Sequence, residues 1–218
     1  MSQLIFQFPF KTTYYEKDFY VSANNFEVYK LIEEWPNWPD KWLNIFGPKG
    51  SGKTHLSNIL KKKINSVYLD SNLIKKDLIL EMEKYNCIII DNYENNINEE
   101  LLYSILNHTK QLNKYLLINS YTPITKCNIK LKDLKSRFDS FITLGIDLPT
   151  DDLLRVIITK SFSDKQIELN NRMLEYIMKN IERSYEKVFK LIRDLDNESL
   201  SSGKAININL IKKVLQNE

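Results

Sequence analysis

The chain has 218 residues, enough for one full core and a small second domain. A hydrophobic fraction of 43% and a charged fraction of 27% exclude a disordered or fibrous chain, and a net charge of +3 gives composition no argument for nucleic-acid binding. The two cysteines, Cys87 and Cys127, lie outside any metal-ligand or disulfide pattern, no apolar run has membrane-span length, and no signal peptide is legible, so a reduced, cytoplasmic setting is expected.

In the opening "SQLIFQFPF", Leu4, Phe6, Phe8 and Phe10 fall on one side of an extended strand. A helix is predicted over about 25–35, followed by the Pro-broken loop "PNWPDKW". "LNIF" then reads as a short buried strand. It leads into "GPKGSGKT" and a helix through about Lys63. "SVYLD" is a second strand ending at Asp70, and "LIKKDLILEMEKY" has helical spacing. "CIIID" and "YLLINS" are apolar enough for strands buried on both faces, with a helix over about 98–112 between them. "KLKDLKSRF" is a short helix and "FITLGI" a last strand. Strands alternating with helices predict a parallel α/β sheet. From Leu148 the pattern turns to amphipathic helix, interrupted only by the strand-like "AININ", which predicts a helical subdomain.

Gly47, Pro48, Lys49, Gly50, Ser51, Gly52, Lys53 and Thr54 fill every position of the P-loop G-x-x-x-x-G-K-[ST]. The glycines permit a loop that turns backbone N–H groups toward phosphate, and the following helix adds its dipole. Lys53 would reach the β- and γ-phosphates, and the Thr54 hydroxyl would bind Mg²⁺. Asp91, at the end of "CIIID", reads as the Walker B acid that holds the metal through water. Many related ATPases place a second acid next. Here Asn92 stands there and cannot take a proton, so slow or no self-hydrolysis is expected. Glu94 would share the side of Asn92 on an extended chain. The 46 residues ahead of Gly47 disfavour a small-molecule kinase, and "KDFYVSANN" suits an N-terminal strap of a ring-forming or partner-forming NTPase.

Further stretches accompany the P-loop: "DFYVSANN", "GKTHL", "IIIDN", "LKDLKSRF", "NIERSYEKVFKLIRDLD" and "INLIKKVL". Over nearly the whole chain the sequence resembles the DnaA-type initiator ATPases of the AAA+ class, and among them the Hda-like regulators of replication initiation. The resemblance implies an AAA+ P-loop sheet domain over 10–147, a small helical lid over 148–218 and a clamp-binding segment over 1–9. It implies an ADP or ATP ligand with Mg²⁺. Phe19, Val21 and Asn25 would contact the adenine, and Ser22 replaces the usual glycine there. His55 belongs to the P-loop ending, Asn119 to sensor 1, and Arg183 matches the sensor-2 arginine of the lid helix. Tyr121 stands where the family usually has Asp.

Arg137 matches the arginine finger, although alone it would read as a surface ion pair. Gln3, Leu4, Phe6 and Phe8 match a short sliding-clamp motif, although alone they would read as an edge strand. The sequence closes at Glu218 without the helix-turn-helix that reads DNA in the initiator, so a core lacking that reader is expected. The implied partners are the DNA polymerase sliding clamp (its β subunit), DnaA, and DNA only through the clamp, in a nucleoid-associated cytoplasmic location. No membrane is implied, and a homodimer is left open. The chain would act mainly as an activator of hydrolysis on DnaA. An autonomous AAA+ ATPase, and an adaptor or helicase loader that delivers a partner to DNA, are the alternatives.

Overall fold

The computed structural model describes residues 19–167, 169–203 and 205–216, so Gln3, Leu4, Phe6 and Phe8 lie outside the described residues. The chain divides into two compact units, the first through Asp147 and the second containing Leu148 onward.

In the first unit, helix α1 (Phe26–Glu33) precedes strand β1 (Trp42–Phe46) and helix α2 (Lys53–Lys63). Strand β2 (Ser66–Asp70) follows, then a single helical turn α3 (Leu78–Glu81) and strand β3 (Cys87–Tyr93). Helix α4 (Glu99–Gln111), strand β4 (Tyr115–Ser120), helix α5 (Lys132–Phe138) and strand β5 (Ile142–Gly145) complete it. The five strands form one parallel sheet in the order β2-β3-β4-β1-β5. Strands β3 and β4 are buried on both faces, which explains why "CIIID" and "YLLINS" read as continuous apolar runs. One face packs Ile88, Ile90, Leu116 and Ile118 under α4 and α5, through Leu102, Ile105, Leu134 and Phe138. The other packs Leu43, Ile45, Ile89 and Leu117 under α1 and α2, through Val28, Ile32, Leu56 and Leu60. Within this layer burial pushes the Cys87 thiol up to about 12, so it stays protonated and acts as a small apolar side chain.

The segment predicted as one helix over 73–85 is shorter in the structure. Asp70 accepts from the Asn72 N–H, a 3-10 turn spans Ser71–Leu73, and the chain is extended at Ile74 before α3 and a second 3-10 turn at Met82–Lys84. Only Leu78 and Met82 of this stretch are fully buried, a single anchoring ridge too short to hold a long helix.

Sequence reading passed over a buried polar side chain in the sheet. Asn44, wholly buried in the middle of β1, donates at 2.9 Å to both the Ile118 carbonyl and the Ser120 Oγ, and accepts from the Ile124 N–H at 3.1 Å. It fastens β1 to the end of β4 and to the loop beyond. Replacing it with Leu leaves the Ile124 N–H and the Ser120 hydroxyl short of a partner. We expect Asn44→Leu to lower the unfolding free energy by about 3 kcal/mol, read as an earlier urea midpoint at constant slope. A loss below about 1 kcal/mol would mean that the loop re-pairs these groups.

The second unit is helical: α6 (Asp151–Asp164), α7 (Asn171–Asn180), α8 (Tyr185–Ser202) and α9 (Ile208–Gln216). Its own core is built from Leu154, Ile158, Phe162, Ile177, Leu191 and Ile211 among others. Side-chain oxygens of Thr150, Asn170 and Ser184 cap the first three helices. The strand-like "AININ" is instead a helix entry. Asn207 Oδ1 accepts from the Asn209 and Leu210 N–H groups, and α9 starts at once.

Candidate functional site

Parallel pairing brings the C-terminal ends of β1, β3 and β4 together at one end of the sheet, where α/β sheets bind ligands. Phe46 pairs with Ser120 and Ile45 with Asn119, so the loop leaving β1 stands beside the polar end of β4. That loop is "GPKGSGKT". Gly52 has φ +98° and opens α2; a Cβ there would come within 2.8 Å of the Phe19 ring. At Gly47 a Cβ would press to 2.6 Å from the Ile146 carbonyl. Glycine is therefore required at both positions, once for backbone handedness and once for close approach.

The side chains around the loop are arranged as polar partners. Lys53 Nζ donates to the Gly47 and Pro48 carbonyls, at 2.7 and 2.9 Å. Burial pushes its pKa down to about 8, opposed in part by the Asp91 carboxylate, so the ammonium is held where added negative charge would stabilise it. Thr54 Oγ1 donates to Asp91 Oδ2 at 2.7 Å. Asn119 Nδ2, fully buried, donates to Asp91 Oδ1 at 2.8 Å and to Ser57 Oγ at 2.7 Å. Ser51 Oγ in the loop and Asn119 Oδ1 at the end of β4 are among the buried polar atoms without a partner in the described residues, others being Ser66 Oγ and Asn107 Oδ1 away from the loop. Unpartnered buried polar atoms are costly, and the first two flank the place where phosphate and metal-bound water would sit. With an ammonium, a hydroxyl and a carboxylate at one loop, the donor set fits a nucleotide phosphate with Mg²⁺ held by Thr54 and Asp91. Lys49 and Gly50 are exposed on the loop, and Pro48 is half-buried.

Phe19 stacks on Tyr29, with ring centroids 5.7 Å apart, and meets the His55 ring edge-on at 5.4 Å. This joins the "DFYVSANN" segment to the P-loop helix. Val21 is half-buried and Asn25 is buried. Asn25 braces its own turn, accepting from the Ser22 N–H at 2.8 Å and donating to the Tyr20 carbonyl at 2.9 Å.

Asn92 adopts a left-handed conformation with φ 56°, and the pairing of β3 with β4 shifts register between Ile90 and Tyr93. The chain is therefore not extended here, and the alternation that would put Glu94 beside Asn92 is broken. Glu94 is exposed in a turn that Asn96 closes. Asn92 Nδ2 donates to Asp70 Oδ2 at 2.7 Å. This bond, with others from Asn72, holds the Asp70 carboxyl below the usual carboxylate range. Tyr121, in the position of a family Asp, is 61% exposed.

Arg137 is set apart from these groups. It occupies the last turn of α5, just ahead of β5, whose first residue pairs with Leu43 near the start of β1. The P-loop leaves the other end of β1, roughly 10 Å further along the sheet at about 3.3 Å per residue. Arg137 is half-buried, lines a shallow hollow with Asn107, Lys110 and Gln111 of α4, and forms no ion pair among the described residues. Leu134 and Phe138 anchor its helix. The helix entry is fixed by Glu99, whose carboxylate accepts from the Lys130 and Leu131 N–H groups. Arg183 belongs to the second unit. It lies just before the α8 cap and grips Asp151 with two bonds, Nε–Oδ1 at 2.6 Å and Nη2–Oδ2 at 3.1 Å. Both side chains are exposed, and the pair draws the Asp151 carboxyl below its ordinary range.

Sequence reasoning missed Tyr68, whose hydroxyl donates to Asp91 Oδ2. The available signal was positional: Tyr68 pairs with Ile89, two residues before Asp91, and so shares its face. Among the described residues no cluster of His, Cys, Asp or Glu could hold a metal by itself, and no helix is long and apolar enough to cross a membrane.

Residues 151–215 match the family described as "Hda, lid domain". The chromosomal replication initiator protein DnaA of Buchnera aphidicola subsp. Baizongia pistaciae is 29% identical over 244 residues, covering 99% of this chain and 53% of that protein. The chain thus spans about half the length of this curated relative. Among solved structures, domain III of the Thermotoga maritima replication initiation protein DnaA superposes with a TM-score of 0.77 at 19% identity, covering 96% of this chain and 98% of that one. AMPPCP-bound DnaA from Aquifex aeolicus gives 0.66 at 19% identity, with 86% and 66% covered. The fold is that of domain III of the Thermotoga maritima DnaA.

Proposed function

We propose that this Hda-like, DnaA-related AAA+ protein regulates replication initiation, binding an adenine nucleotide at its own P-loop and applying Arg137 to the ATP held by DnaA. The observation that carries the reading is the placement of Arg137. It stands at the end of the sheet opposite the P-loop and has no ionic partner among the described residues, so it serves a phosphate on another molecule better than one on its own. A guanidinium brought against a transferring phosphoryl group stabilises the charge that develops on its oxygens.

The chain's own nucleotide has a structural role in this reading. Lys53 and the loop N–H groups bind its phosphates, Phe19, Val21 and Asn25 border the base, and Asn119 senses the phosphate end. A magnesium ion, when bound, neutralises phosphate oxygens, and Thr54 and Asp91 are the residues that would hold it. Self-hydrolysis is slow because Asn92, tied to Asp70, offers no base for the attacking water. Gln3, Leu4, Phe6 and Phe8 dock on the sliding clamp as an extended peptide, three alternate apolar anchors with one glutamine fixing register.

The test is hydrolysis of labelled ATP pre-bound to DnaA, with and without this protein and with and without clamp on DNA. Stimulation that needs both protein and clamp is expected. No stimulation by the wild-type chain sinks the reading. The intact Thr54–Asp91–Asn119 group favours a second reading, an autonomous ATPase. Multiple turnovers by the isolated chain would select it.

A further inference from the structure

Asp91 is only 2% exposed, and burying a carboxylate is costly unless hydrogen-bond donors satisfy it. It has three. Asn119 supplies Oδ1, while Thr54 and Tyr68 both supply Oδ2. The Thr54 hydroxyl is shared with the metal: Mg²⁺ takes an oxygen lone pair, while the O–H can stay on Asp91. The two donors that would not themselves touch the metal are Asn119 on one oxygen and Tyr68 on the other. These come from β4 and β2, the strands on either side of β3, so they hold the group from opposite sides. The terminal torsion of an Asp side chain is broad and soft, and a carboxylate tied at one oxygen only can turn about it.

We propose that Tyr68 is a positioning residue for Asp91: its phenol holds Oδ2 in the orientation that receives metal-bound water when Mg²⁺ enters with the nucleotide. The inference rests on the reading of the P-loop as an adenine-nucleotide site. Tyr68 is suited to the task. Its β2 position pairs with Ile89, and its ring packs in the apolar layer beneath α2. The Lys61 ammonium of α2 lies 6.0 Å from the ring centre, where a cation draws electron density and strengthens the phenol as a donor. A phenol is also neutral at physiological pH, so it supports the carboxylate without competing for its charge as a lysine would.

The experiment titrates a fluorescent ADP analogue into the full chain, as wild type and as Tyr68→Phe, once with Mg²⁺ and once with EDTA. Outer partners of metal ligands are worth 10–100-fold, and for a metal held through water we expect the lower end, about tenfold weaker binding with Mg²⁺ and a change under about twofold in EDTA. Thermal unfolding in EDTA without nucleotide checks that the two proteins are equally folded. Unchanged affinity with Mg²⁺ overturns the proposal. So does an equal loss in both conditions, which would make Tyr68 a general packing residue. Absence of binding by the wild type in either condition overturns the nucleotide reading, and this inference with it.

Discussion

Lys53→Ala is expected to weaken nucleotide binding about 100-fold, the loss of roughly two charge-assisted hydrogen bonds to phosphate. The side chain is already at the right place but committed elsewhere, with its ammonium on the Gly47 and Pro48 carbonyls. Burial disfavours that charge, and arriving phosphates supply what two carbonyl dipoles cannot. Alanine removes the charge and leaves the loop glycines untouched, so the effect falls on binding more than on folding. Thermal shift separates the two. At nucleotide 100 times the wild-type Kd, binding stabilises the wild type by about 2.7 kcal/mol, and a variant bound 100-fold more weakly by about 0.4 kcal/mol. Lys53→Arg should restore little, because a planar guanidinium does not fit where a compact ammonium sits between two backbone carbonyls. An undiminished shift for Lys53→Ala would mean that nucleotide binds elsewhere, or that the loop N–H groups suffice.

The parts of this site legible in the sequence are those in which chemistry and spacing are local. The P-loop is one such part: its glycines serve backbone geometry, and Lys53 and Thr54 follow at fixed offsets. Asp91 is another, an acid closing a run that only a doubly buried strand tolerates. What escaped depends on contacts between distant residues or on a single dihedral angle. Tyr68 looks like any aromatic strand residue until β2 is laid beside β3 in register. Glu99 reads as an acid in the first turn of α4, and its grip on the Lys130 and Leu131 N–H groups spans a strand and a loop. Asn44 reads as a fault in an apolar strand until its amide is seen to tie three segments. The left-handed Asn92 reverses an inference drawn from alternation alone, since Glu94 can no longer be assigned a side by counting. In "AININ" the same two-residue pattern is helix entry, because a side-chain cap outweighs β propensity.

Arg137→Ala is expected to return hydrolysis of DnaA-bound ATP to its unstimulated rate, a fall of about 10³–10⁵ if the finger acts as fingers do elsewhere. The substitution is local. Leu134 and Phe138 keep α5 seated, Glu99 keeps its entry fixed, and the Arg137 side chain gives up no ion pair among the described residues. The P-loop lies at the opposite end of the sheet, so affinity for ADP should not move. Three readouts therefore part company: stimulation is lost, while binding of nucleotide by this chain and its capture by clamp on DNA persist. Arg137→Lys keeps the charge but loses the planar fork that spans two phosphate oxygens, and should recover only a small share of the rate. Should stimulation survive Arg137→Ala while wild type still needs the clamp, the regulator reading stands and the finger must be sought among other cations. Lys110, beside Arg137 in the same hollow, is then the first to replace.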